Sequence, residues 1–100
     1  MKRYRVEFST KVEAEILASA AYIAGDSPEN AAAWLDGIYE AIASLSRLPK
    51  RCGLIREHEE FSVELRELIY KSHRIIFTVD ADKVRILHVR HSARREWRGK

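Results

Sequence analysis

One hundred residues, 46% apolar and 33% charged, suit a single soluble globular domain and exclude a disordered chain. The net charge of +3 is unevenly spread: residues 71–100 hold nine Lys/Arg against three Asp/Glu, net +6, and residues 1–70 hold nine against twelve, net −3. A basic C-terminal third points to an anionic partner, either nucleic acid or an acidic protein segment, although basic tails also serve only to solubilise.

No apolar run approaches membrane-spanning length, so no membrane partner is expected. The opening MKRYRVEFS has basic residues but no apolar stretch behind them, so no secretion signal is expected. The single Cys52 excludes an intramolecular disulfide and points to a reducing, cytoplasmic location.

In chain order, Tyr4, Val6 and Phe8 alternate with Arg3, Arg5 and Glu7, as in a half-buried strand at or near a sheet edge. Thr10 followed by Glu13 fits a capping box at the start of a helix. Val12, Ile16, Leu17, Ala20, Ile23 and Ala24 then form its apolar stripe. Gly25 is expected to end this helix at positive φ. Ser27 caps the next helix with Pro28 at its first position, and Ala31, Trp34, Leu35, Ile38, Ile42 and Leu45 are its stripe. Leu48-Pro49 stops it. The short connection makes the two helices antiparallel neighbours.

Residues 50–63 show no period, and the polar cluster Glu57-His58-Glu59-Glu60 reads as a surface loop. Three strand-like runs follow: ELRELIY, HRIIFTV and VRILHVRH. Strict alternation puts His73, Ile75, Phe77 and Val79 on one face and Arg74, Ile76 and Thr78 on the other. In the last run it sets Val84, Ile86, His88 and Arg90 against Arg85, Leu87, Val89 and His91. Neither face is cleanly polar. One is expected to pack on the helices and the other to be a docking surface, unless it is only a core edge with solvated arginines. Lys71-Ser72 is a poor two-residue turn, so a longer or bulged connection is expected. A short helical turn at the C-terminus is expected to fold Trp97 onto the sheet edge. The fold class is α+β over one domain, residues 1–100: an N-terminal strand, an antiparallel helical hairpin and a three-stranded antiparallel meander, with the helices on one face.

No phosphate loop, nucleotide fingerprint or hydrolase elbow is present, and no cofactor is expected. His58, His73, His88, His91 and Cys52 show no paired ligand spacing on a helix, so no metal is expected. Cys52 in a loop beside Arg51 and Gly53 lacks a nameable base. Metal-free RNA cleavage needs proton-transfer groups and cations near the phosphate. His91 or His73 would supply the first, and Arg66, Arg74, Arg90, His91, Arg94 and Arg95 the second. The same arginines also suit phosphate binding without chemistry.

Together the motifs resemble the RelE/ParE superfamily of toxins from type II toxin–antitoxin systems. They are Tyr4-Arg5-Val6-Glu7-Phe8-Ser9, Ser27-Pro28 with Ala31, Trp34 and Leu35, Leu48-Pro49 with Gly53, Leu65-Arg66-Glu67-Leu68, Tyr70, His73 to Phe77 and Ile86 to Arg94. The resemblance implies a cognate antitoxin, ParD-like or RelB-like, with Ile76, Leu87, Val89 and Trp97 as partner-contacting positions. It implies growth arrest and plasmid stabilisation through one of two targets. RelE-like members cleave mRNA on the ribosome, and here Arg74, His91 and Arg94 would be the catalytic candidates. ParE-like members inhibit DNA gyrase, and here Arg66, Arg74, Arg90, Arg94, Arg95 and Arg98 would be contact residues. Trp97 stands where the ribonucleases carry a tyrosine, and an indole is neither acid nor base. The long helical hairpin and the VRHSAR ending favour the ParE side. A relic that only binds its antitoxin is the third alternative.

Overall fold

The computed structural model describes residues 2–55 and 62–92. The chain runs β1 (Arg5–Phe8), α1 (Thr10–Ala24), α2 (Pro28–Ser44), a 3-10 turn at Pro49–Arg51, β2 (Arg66–Tyr70), β3 (His73–Asp80) and β4 (Lys83–His91). The four strands form one sheet in the order β1-β4-β3-β2. The pairs β2–β3 and β3–β4 are the expected antiparallel meander. β1 is an edge strand, as its half-buried alternation predicts, and it runs parallel to β4. The sheet is therefore mixed.

The helices pack on one face. Val12 and Ile16 of α1 and Trp34, Ile38 and Ile42 of α2 share a core with Ile75 and Phe77 of β3 and Val84, Ile86 and Val89 of β4. The apolar stripe of α1 is narrower than its sequence suggests. Leu17 remains 49% exposed, because α1 meets the sheet and α2 along one side only.

The helix ends differ in detail from expectation. Ser9, not Thr10, caps α1: its hydroxyl oxygen accepts the Val12 N–H at 3.3 Å. With Ser9 as the cap, the third helical residue is Val12, whose side chain accepts no hydrogen bond, so no reciprocal capping box forms. Gly25 sits at φ −58°, in ordinary helical space rather than at positive φ. Ser27 behaves as expected, accepting the Asn30 N–H at 3.1 Å with Pro28 in the first helical position.

The turn Lys71-Ser72 is a two-residue hairpin, since Tyr70 pairs directly with His73. Lys71 takes the left-handed conformation itself, at φ 53°, where a longer connection was expected. Ala81 does the same at φ 56° in the β3–β4 turn. A larger correction concerns β4. Its register jumps from Ile76↔His88 to Phe77↔Ile86, so Leu87 is an additional, bulged residue. The bulge resets the alternation. Val89 returns to the helix-facing core with Val84 and Ile86, where strict period-two spacing puts it on the opposite face.

The other face of the sheet is not left open. Ile55 and Leu65, flanking the segment before β2, bury Ile76 completely, and Leu87 packs against the same cluster. This small second core occupies the surface that the sequence offers as a docking face.

Candidate functional site

β1 ends at Phe8, opposite Ile86, so among the described residues the remaining edge of β4 has no strand beside it on that side. An uncovered edge leaves backbone donors and acceptors unmet. Glu15 of α1 fills part of this gap. Its Oε1 accepts the Val89 N–H at 3.0 Å, and its Oε2 lies 3.1 Å from Nδ1 of the buried His88. One carboxylate thus stands in for a missing strand and ties α1 to the bulged half of β4.

Beside this tie is a groove of about 850 Å³, lined by Glu15, Tyr22 and Ile23 of α1, Trp34 of α2, and His73 and His91 of the sheet. Its floor is a run of rings: Trp34 and His73 at 4.9 Å between centroids, then His73 and His91 at 5.2 Å, edge to face. The buried indole Nε1 of Trp34 has no acceptor among the described residues. Tyr22 stands at the rim, 85% exposed. An aromatic floor with donors around it suits an inserted apolar or aromatic side chain that carries a hydrogen-bond acceptor.

The opposite face holds different chemistry. Arg74 is only 6% exposed, and its Nε donates to Glu67 Oε1 at 2.6 Å. Arg90 is its cross-strand partner and is half-buried, with no acceptor for its Nε among the described residues. Arg66 points back into the fold. Its Nη1 donates to the Cys52 carbonyl at 2.7 Å, and its Nη2 lies 3.3 Å from Glu64. Cys52 itself is buried. Burial pushes its thiol above the ordinary range, with the Arg51 and Arg66 charges acting in the opposite sense. The result is an inert packing thiol rather than a nucleophile.

The positions singled out from the sequence therefore do not share one surface. His91 stacks on His73 on the helix-facing side, whereas Arg74 lies on the second face. Successive residues on a strand point to opposite faces, and His73 and Arg74 are neighbours. Ile76 and Val89 are buried, Leu87 is half-buried, and Arg66 and Arg74 are engaged internally. Arg94, Arg95, Trp97 and Arg98 lie outside the described residues, as do the expected C-terminal turn and the 57–60 cluster. Glu15 and Gly37 are the positions that the sequence does not flag. Glu15 reads as one more solvated acid in an acidic helix. Gly37 reads as a flaw in a helix, yet an added Cβ there would lie 2.0 Å from the Tyr70 hydroxyl, which donates to the Trp34 carbonyl at 3.2 Å.

No helix among the described residues is long and apolar enough to cross a membrane. Among curated proteins no match is found. Among solved structures, the chain is similar to one described as the chromosomal ParDE TA system from P. aeruginosa. The likeness is 21% in sequence with a TM-score of 0.71, and it covers 89% of this chain and 96% of that one. At that identity it carries the fold alone. The family model for the ParE toxin of the type II toxin–antitoxin system, parDE, matches residues 6–96. A family match over nearly the whole chain, on a fold of the same architecture, shows that this protein belongs to the ParE toxin family of type II toxin–antitoxin systems.

Proposed function

We propose that the chain is a non-catalytic toxin that inhibits DNA gyrase in the cytoplasm and is neutralised by its cognate antitoxin. One observation carries the choice over ribosome-dependent mRNA cleavage. Arg74 is locked to Glu67 on one face of the sheet, and His91 lies on the other. Acid–base cleavage of a phosphodiester needs its proton-transfer groups and its cations around one phosphate. These two residues do not meet that requirement together.

The antitoxin is expected at the groove over Trp34, His73 and His91, with the exposed Tyr22 of α1 extending the contact at its rim. A concave aromatic site with an exposed ring at its rim suits a docked partner segment. Of the four partner positions drawn from the sequence, Val89 contributes here only as part of the groove wall.

The deciding experiment is a gyrase supercoiling and DNA-cleavage assay with the purified chain, with and without the product of the neighbouring gene. Inhibition that this product relieves supports the proposal. Folded, growth-arresting protein with no effect on gyrase would sink it, and ribosome-bound mRNA cleavage would then be assayed.

A further inference from the structure

The structure assigns a second candidate surface to the start of β1 and the end of α2, away from the groove. Arg3 and Arg47 face each other there as an isolated antiparallel bridge. Like charges directly opposite one another are unfavourable in a sheet pair. Neither guanidinium forms an ion pair among the described residues, and both line an open hollow of about 600 Å³ with Ser44, Leu48 and Arg51. Arg51 is held in place: its guanidinium donates to the carbonyls of Arg47 and Leu48 and to Ser44 Oγ.

Part of this cluster has an ordinary explanation. Arg47 and Arg51 follow the C-terminus of α2, where cations complement the helix dipole. That does not explain Arg3, which comes from a different element and is brought opposite Arg47. Nor does it explain Arg5, which is exposed and follows Arg3 at a spacing of two residues. Arg5 opens β1, directly after the bridge that holds Arg3, so the chain brings a further guanidinium close to the pair. Guanidinium forks match phosphate oxygens in bidentate geometry.

We infer that Arg5, Arg3 and Arg47, with Arg51 behind them, bind the phosphate backbone of duplex DNA. A hollow lined by three arginines and no carboxylate fits the dense, continuous charge of a duplex backbone better than the sparser charge of an acidic peptide. None of these residues except Arg5 belongs to the motifs that carry the family resemblance, and none is among the cations singled out from the basic C-terminal third. The inference does not depend on the target being gyrase, so a negative gyrase assay leaves it standing.

The test is fluorescence anisotropy of a labelled duplex oligonucleotide with the full chain, titrated at several salt concentrations. Each phosphate contact adds about 0.9 to the slope of log affinity against log salt. Arg3→Gln/Arg47→Gln is expected to lower that slope by about 2 and to cut affinity about tenfold or more at low salt. Arg47→Gln alone is compared with Lys71→Gln, which removes the same charge from the β2–β3 turn. The first is expected to lower the slope by about 1, and the second to leave it at the parental value. Thermal melting supplies the folding control: relieving a like-charge pair is expected to hold or raise Tm. Equal losses from Arg47→Gln and Lys71→Gln, or no loss from the double variant, would overturn the assignment. So would tighter binding of a glutamate-rich peptide than of the duplex through the same arginines, which would reassign the surface to acidic proteins.

Discussion

Glu15 shows how much one side chain decides in this molecule. It lies on a helix with a net acidic surface, yet its two oxygens satisfy a strand N–H and a buried imidazole. Replacing it with alanine removes the acceptor of the Val89 N–H and one contact of His88. The expected loss is about 2 kcal/mol, measured by urea denaturation. Glutamine keeps one acceptor oxygen for Val89, and Glu15→Gln is expected to lose less than half as much. Equal losses would mean that the imidazole contact carries the effect. Cys52 makes a second prediction at this scale. Its thiol is pushed up in the folded chain by burial. Below the ordinary thiol pKa, both states hold the proton and the group has no effect on stability. As pH rises through that value, the unfolded chain releases its proton while the folded chain keeps it. Stability therefore falls with increasing pH in this window. Denaturant midpoints taken on the alkaline side are expected to show this slope in the parent and to lack it in Cys52→Ala.

Among the elements, α2 is the one whose sequence is most easily misread. Gly37 in its interior is unfavourable by about 1 kcal/mol relative to alanine on propensity alone. Here its missing Cβ makes room for the ring of Tyr70, reaching over from β2. Gly37→Ala is accordingly expected to destabilise the chain by about 1–3 kcal/mol despite its better helix propensity. In a Tyr70→Leu background the same change is expected to be neutral or stabilising, so a double-mutant cycle in thermal or urea melts isolates the clash. The bulge in β4 is the other element-level device. By adding Leu87 to the strand, it lets Val84, Ile86 and Val89 serve one core and turns His91 toward His73. Without it, His91 would lie on the side of Arg74, which is the arrangement that a ribonuclease requires.

For the whole molecule, the question is whether toxicity follows chemistry or surface. His91 is exposed at the rim of the sheet, so His91→Ala is expected to fold normally and to retain growth arrest on expression without the antitoxin. Loss of arrest with unchanged Tm would point back to proton transfer. Arg74 requires a different reading. Its partner Glu67 is partly exposed, so removing Arg74 costs the charged hydrogen bond and the packing of its buried stem, about 1–3 kcal/mol. Arg74→Ala is therefore expected to lose activity only to the extent that it lowers the folded fraction, as measured by circular dichroism melts alongside the growth assay.

Local chemistry was enough for the sequence alone to determine the element order, the Ser27-Pro28 helix start, the helical stripes and the antiparallel meander. Alternation and 3.6-residue spacing are properties of neighbouring residues, and they read directly. The family, too, was legible, because its motifs are spread along the whole chain in order. Only the tertiary structure decided which charged groups are available. Arg66 and Arg74 look like free cations until Cys52, Glu64 and Glu67 are brought against them. The second sheet face looks open until Ile55 and Leu65, which have no strand period to announce them, close over Ile76. Glu15 and Gly37 take their meaning from residues on other elements, at Val89 and Tyr70, and no local pattern encodes such distant contacts.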